Sequence, residues 1–385
     1  MLIRFFLSKI LEINQTHPIM ETTTIRNIMF FVFILKSLVI QSLSKPFLEQ
    51  KNVINYHKNV FNPKLDLNNL HAEKLWNKTL GGKKKYLSGK KYSQNKKKNT
   101  VILNVNTEEL KRRLNFLNQK SQIKILKYNS IVHASIESYL RMNKYIGKII
   151  SLSDFFFPMF EEKLENYRLP KELKYLAIIE SNLNPIVTSK AGAKGIWQFM
   201  PETGKIYNLD INHLYDERND PIKSTEAACR YLKFLYKKIG NWEFVLAAYN
   251  AGPGTVDKIL QKSKNRKNFW ELLEFFPKET QNYIPKFIAI NYVMNYYKEH
   301  NIYKHYSSPY KYKYKETILI PIKQKISLKF FAFNLNIPYQ DLILLNPQYF
   351  VDLIPSGNKL RLPKNKIFLF NKSKDILFLK NIHKN

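Results

Sequence analysis

The sequence predicts a mainly α protein, with an all-helical domain followed by a small α+β domain. Three observations predict it. Between residues 126 and 305, apolar side chains recur at three- and four-residue spacing in a series of segments joined by short loops. After that, a strand, two short helices and a closing strand follow within about 50 residues. Apolar residues make up 44% of the 385-residue chain, enough for a substantial core, and charged residues make up 24%, near the globular average. That length suits two or three domains.

The charge is unbalanced: 63 Lys and Arg stand against 30 Asp and Glu, a net charge of +33. Such a surface attracts an anionic partner, and nucleic acid, a membrane surface or a wall polymer all qualify. Heavy use of Lys, Asn and Ile throughout accounts equally well for the same excess, so charge alone chooses none of them. Cys229 is the single cysteine, which rules out an intramolecular disulfide. It lies in the amphipathic segment "AACRYLKFLY" and reads as a small core residue. No CxxC, HExxH or P-loop pattern occurs, so no metal or cofactor is expected.

In chain order, residues 1–44 are expected to form a signal peptide or N-terminal anchor. "IMFFVFILKSLVI", residues 28–40, is too short for a membrane span, which needs roughly 20 residues. It suits a signal h-region, with Arg26 before it and "SLS" at 42–44 as a cleavage site. The first nineteen residues are odd for a signal peptide, and Met20 is an alternative start. No cysteine follows the apolar run, so a lipid-modified N-terminus is not expected.

Residues 45–125 read as a Lys/Asn-rich linker, largely disordered. "GGKKKYLSGKKYSQNKKK", residues 81–98, carries eight lysines and no acid. Tyr86 and Tyr92 interleave with that basic run, yet no nucleic-acid-binding module is visible, so a nucleic-acid partner is not expected. The helical domain is expected over 126–305. Its segments include "SIVHASIESYLRMN", "FFFPMFEEKLENYRL", "KELKYLAIIES", "STEAACRYLKFLYKKIG", "NWEFVLAAYNAG", "NFWELLEFF" and "QNYIPKFIAINYVMNYYKEH". Asp220-Pro221 reads as a helix start and Gly252-Pro253-Gly254 as a stop. The α+β domain is expected over 306–370, with a basic tail over 371–385.

One stretch poses a chemical question. Leu169 and Leu173, with Leu176 and Ala177 of "KYLAIIESNLNP" (174–185), form an apolar stripe whose next position is Glu180. A carboxylate there is partly desolvated, which is costly. Either it bends out to water at the helix end or its place serves a reaction. The loop beyond carries Ser189, Gly192, Gly195 and Gln198. Two glycines three apart allow a tight turn and close approach to a ligand.

Three blocks in one order resemble the soluble lytic transglycosylase family, whose members are goose-lysozyme-like. The first is Glu180-Ser181, Pro185, Ser189, "GAKG" and Gln198-Phe199-Met200-Pro201. The second is Ala248-Tyr249-Asn250-Ala251-Gly252, and the third is Glu279-Thr280-Gln281-Asn282-Tyr283. The lead-in to Glu180 looks like the membrane-bound D type of these enzymes.

The resemblance implies a lysozyme-like catalytic domain that cleaves the β-1,4 bond between N-acetylmuramic acid and N-acetylglucosamine in peptidoglycan glycan strands, leaving 1,6-anhydromuramyl ends. Most glycosidases use two carboxylates; here Glu180 alone would act as acid and then base. Ser189, Gln198, Met200, Tyr249, Asn250, Glu279 and Tyr283 match positions around the substrate groove. Four of them also have a structural reading. Asn250 caps a helix, Tyr249 and Tyr283 are core aromatics, and Glu279 suits a helix N-terminus. Asp216, Glu217 and Asp220 in "DERNDP" read as a turn and cap. The tail resembles a LysM module that lacks the usual Gly-Asp-Thr after its first strand, where "KQKISL" stands instead. The apolar N-terminal segment, together with this resemblance, implies an exported protein of the periplasm or cell envelope whose N-terminus is cleaved or membrane-associated. A hydrolytic muramidase of the same fold and an inactive wall-binding scaffold are the alternatives.

Overall fold

The computed structural model describes residues 105–263, 268–304 and 308–379, with side chains as far as residue 373. The expected signal or anchor and the linker over 45–104 lie outside the described residues. Helix α1, Thr107–Lys120, starts inside the expected linker. Asn106 caps it by accepting from the Glu108 and Glu109 amides. Leu110 and Leu114 are fully buried, and Ile123, Ile125 and Leu126 follow them into the core. The linker expectation is therefore wrong over 105–125. The basic, Asn-rich composition hid an apolar stripe at 110, 114 and 117.

Next come α2 (Ser130–Leu140) and α3 (Asn143–Asn166), the latter running through Pro158. "KELKYLAIIES" is not one helix. A 3-10 turn, Lys171–Tyr175, leads into the short α4, Leu176–Ser181, since tight turns of this type commonly begin helices. Leu169, Leu173, Leu176 and Ala177 are all buried, as the stripe predicts.

After a loop come α5 (Pro201–Ile206), α6 (Pro221–Ile239) and α7 (Trp242–Ala251). Asp220 caps α6 and Pro221 opens it. Cys229 is fully buried on its inner face, and burial pushes the thiol up to about 12, which makes it inert. Gly252, at φ +84°, ends α7. Pro253 at once begins α8, Pro253–Lys262, a helix that the stop signal concealed. "NFWELLEFF" forms turns and a 3-10 segment, Leu273–Phe275, rather than a helix. Phe269, Leu272 and Phe276 pin it to the core, and Pro277 ends it.

The last helix of the domain, α9 (Lys278–Tyr296), is the axis of the unit. It buries residues on all sides, from Thr280 and Tyr283 through Phe287 and Ile288 to Tyr292 and Val293. A helix apolar all round must be enclosed. It packs against α1, α2, α4 and α7.

The C-terminal region has the expected strand-helix-helix-strand order. β1 (Thr317–Pro321) pairs antiparallel with β2 (Lys359–Pro363), from Thr317 opposite Pro363 to Pro321 opposite Lys359. Between them lie α10 (Leu328–Asn334) and α11 (Tyr339–Leu345). Ile320, Phe331, Leu342, Leu360 and Leu362 form its own small core. α12, Ile367–Leu379, follows, so the expected basic tail from 371 is helical to residue 379. Ile367 and Phe370 pack inward and carry the helix across the expected boundary. The helical core does not end at 305 either. Tyr310 stacks on Phe155 at 3.8 Å, and Leu344 and Leu345 join the same cluster. Among the described residues no helix is long and apolar enough to cross a membrane.

Replacing Leu114 by Ala removes a fully buried side chain that ties α1 to the core. The expected loss is about 3 kcal/mol of stability, read as a lowered urea midpoint with an unchanged denaturant slope.

Candidate active site

Glu180 is the penultimate residue of α4. The buried stripe brings it to the core edge, where it remains partly exposed. Tyr283, on the second turn of α9 and 3% exposed, donates its hydroxyl to Glu180 Oε1 at 2.5 Å. Surrounding protein disfavours the charged carboxylate and raises the Glu180 pKa to about 7. The Tyr283 hydrogen bond opposes this rise. Glu279, exposed on the first turn of α9, adds to it by repulsion, and Lys286 subtracts a smaller amount. Burial and the Glu180 charge hold the Tyr283 phenol well above its ordinary pKa, so it remains a donor.

The chain leaves α4 through two left-handed residues, Asn182 at φ +58° and Leu183 at φ +61°. Tyr145 hydrogen-bonds the Asn182 side chain and supports that turn. The buried Ser181 hydroxyl is 2.9 Å from the Ala177 carbonyl and 2.8 Å from the Ile196 carbonyl, tying the helix end to the loop. The loop folds on itself through bridges between Thr188 and Lys194 and between Lys194 and Phe199. Gly195, at φ +84°, lies against the main chain of Arg218; a Cβ there would sit 1.8 Å from the Arg218 carbonyl oxygen. Only glycine fits. The buried Arg218 guanidinium donates to the carbonyls of Gly192 at 2.9 Å and Phe199 at 3.0 Å, and pairs with Asp216 at 2.8 Å. Asp216 and Asp220 also accept from main-chain amides, a turn and a cap respectively.

The other candidates take these places. The Ser189 hydroxyl oxygen accepts from the Ala193 amide at 3.0 Å. Gln198, left-handed at φ +52°, donates from its amide nitrogen to the Val187 and Gly195 carbonyls at 3.2 and 2.9 Å. Both side chains therefore brace the loop. Met200 is exposed at its rim. The Tyr249 hydroxyl donates to the Trp197 carbonyl at 2.9 Å, and Tyr249 lies near enough to Glu180 for that charge to raise its pKa. Asn250 Oδ1 accepts from the Thr280 hydroxyl at 2.8 Å, joining α7 to α9. Sequence reasoning missed Ser181, Thr280, Trp197 and Arg218 as supports. Trp197 is fully buried and donates to Thr225 at 2.8 Å. Ser181 and Thr280 sit inside the quoted blocks, which was the available signal. Among the described residues, no cluster of His, Cys, Asp and Glu is arranged to hold a metal ion.

The fold and site define a helical domain in which one carboxyl of raised pKa, Glu180, stands beside a braced loop. Residues 157–271 match the family described as "Transglycosylase SLT domain", and residues 316–377 match "Lytic transglycosylase MltD, LysM-like domain". The chain is 33% identical over 178 residues to membrane-bound lytic murein transglycosylase D of Escherichia coli strain K12, covering 45% of this chain and 39% of that protein. It is 31% identical over 153 residues to the soluble lytic murein transglycosylase of the same strain, covering 37% and 24%. The chain thus spans less than half the length of these two relatives. A solved structure of the 70 kDa soluble lytic transglycosylase of Escherichia coli overlaps 49% of this chain and 35% of its own at 24% identity, with a TM-score of 0.33. The two family matches fall on the two regions where the sequence resembles these families, the first covering the Glu180 and Tyr249 blocks and the second the C-terminal tail.

The folded protein holds the Glu180 proton more tightly than the unfolded chain does, so ionisation costs folding free energy. That cost is absent below the ordinary carboxyl value of 4.5, grows with pH, and is complete above about 7. Glu180→Gln is accordingly expected to be more stable than the parent at pH 8, by up to about 3 kcal/mol, with the gap closing by pH 4. Paired thermal melts across that range check it.

Proposed function

We propose that this protein is a peptidoglycan lytic transglycosylase. The observation carrying the proposal is the Glu180 carboxyl, held near pKa 7 and oriented by Tyr283. At neutral pH about half such groups are protonated, which suits an acid that must later act as a base. Tyr283 donates to Oε1, which leaves Oε2 to carry the transferable proton. Glu180 gives this proton to the glycosidic oxygen between N-acetylmuramic acid and N-acetylglucosamine. Tyr283 then stabilises the carboxylate that forms. Glu180 next takes the proton of the muramyl C6 hydroxyl, which attacks C1 and closes the 1,6-anhydro ring. The nucleophile belongs to the substrate, so proximity replaces a second carboxylate.

The braced loop offers the sugar-facing groups. After its bond from Ala193, Ser189 still has a hydroxyl proton to donate, and Gln198 still has an amide oxygen to accept. Met200 and Tyr249 lend apolar and aromatic surface, and Asn250 and Glu279 border the same region. In this reading the helical unit is the catalytic domain and the strand-bearing unit the LysM-like domain. The N-terminal segment directs the protein to the periplasm or envelope, with residues 45–104 as the linker. The similarity to a membrane-bound relative supports an envelope location.

Glu279 supports a second reading. It is a carboxylate whose charge is felt at Glu180, so it is a candidate base for a hydrolytic water. Muropeptide mass spectrometry separates the two, since an anhydro end is one water lighter than a hydrolysed end. Glu180→Gln is expected to abolish product release from purified peptidoglycan while keeping a native melt; retained release would sink the proposal. With the parent enzyme, kcat is expected to fall as pH rises through about 7, where the acid loses its proton. A rate that keeps rising to pH 9 would contradict Glu180 as the acid.

A further inference from the structure

The C-terminal unit touches the loop that follows Glu180. Residues 348–350 run beside residues 214–216. The Asp216 amide donates to the Gln348 carbonyl at 3.0 Å, and the Phe350 amide donates to the Leu214 carbonyl at 3.0 Å. Tyr215 and Tyr349 form the bridge between them, with rings 6.1 Å apart. From the loop itself, the Lys194 ammonium lies over the Phe350 ring, 4.5 Å from its centroid, and 3.5 Å from Asp216 Oδ2. Asp216 pairs with Arg218, and Arg218 holds the carbonyls of Gly192 and Phe199. Ser181, next to Glu180, is hydrogen-bonded to Ile196 within that same loop. The contacts are continuous from the C-terminal unit to the residue after the candidate acid.

We propose that the segment 348–350, with Phe350 at its end, is a positioning element for the loop 187–199. It fixes Asp216 through the main chain and Lys194 through the ring, and these set the loop that borders Glu180. Phe350 acts through Lys194 and touches no substrate. A desolvated ammonium over an aromatic face is held more firmly than one in water, and Lys194 is the middle of the loop, paired to both Thr188 and Phe199. A module that merely tethered glycan would not need this register. The burial of Leu344 and Leu345 in the helical core fits a unit that is built in rather than hung on. The proposal rests on the reading of Glu180 as the catalytic acid.

The test compares full-length parent, Phe350→Ala and Phe350→Trp on soluble peptidoglycan glycan strands, with hydrogen exchange of residues 187–199 measured on the same preparations. Phe350→Ala is expected to lower kcat on the order of tenfold with KM changed by no more than about twofold, the signature of misplacement rather than lost binding. Exchange across 187–199 should rise. The alkaline limb of the kcat profile should move to lower pH, because water reaching Glu180 relieves its desolvation. Phe350→Trp keeps the ring under Lys194 and should restore parental behaviour. If the parent itself releases no product, the functional reading fails, and exchange alone then judges the coupling. Unchanged exchange in Phe350→Ala, unchanged kcat where the parent turns over, or a loss confined to KM overturns the proposal.

Discussion

The hydrogen bond from Tyr283 to Glu180 links residues 103 positions apart, and much of the helical unit can be read as the frame that brings them together. Glu180 is carried by α4, whose inner face is anchored by Leu176 and Ala177, with Leu173 buried in the 3-10 turn that leads into it. Tyr283 is carried by α9, whose central turns are buried on every side. Neither residue can shift without moving packed neighbours, because a close-packed interior resists small displacements. The bond also sets the chemistry. Burial alone would drive the carboxyl higher, and the phenol brings it back to about 7. Glu279 and Lys286 adjust that balance in opposite directions.

The loop after α4 is governed by a different constraint. It must reverse direction several times in a short space, and it does so with left-handed backbone at Asn182, Leu183, Gly192, Gly195 and Gln198. The two glycines serve different ends. Gly192 has open space where a Cβ would go and needs only its φ of +90°, whereas Gly195 is closed off by the Arg218 carbonyl. A left-handed residue other than glycine costs roughly 1–2 kcal/mol, and Leu183 and Gln198 meet that cost through burial and through bonds to the loop carbonyls. Rigidity beside the candidate acid Glu180 accompanies this strain.

Local patterns were readable in the sequence where a residue's role was decided by its neighbours in the chain. Asp220-Pro221, the burial of Cys229, the Glu180 stripe and the strand-helix-helix-strand order all rest on spacings of a few residues. Three kinds of feature were not readable. Helix α1 was hidden because its exposed faces are basic and Asn-rich, which drowned three leucines. Ser189 and Gln198 were legible as polar loop residues, yet their bonds to the Ala193 amide and to the Val187 and Gly195 carbonyls depend on backbone turns that no pattern announces. The pairing of 214–216 with 348–350 joins segments far apart in sequence, and nothing local to either points to the other.

The C-terminal unit illustrates how a fold outlasts a missing motif. Without Gly-Asp-Thr, the turn into α10 is held by Ser327, whose hydroxyl oxygen accepts from the Phe330 amide at 3.1 Å. Asp352 accepts from that hydroxyl and from the Lys329 amide, both at 2.6 Å. At the other end, the buried Asn346 donates to the Leu342 and Arg361 carbonyls at 2.8 Å and accepts from the Arg361 amide at 2.7 Å, fastening α11 to β2. Asn346 thus has a structural role that needs no ligand. Buried polar groups stabilise only when their partners are in place, and these partners come entirely from within the unit. The unit can therefore keep its shape, and its contact with residues 214–216, whatever has become of glycan binding.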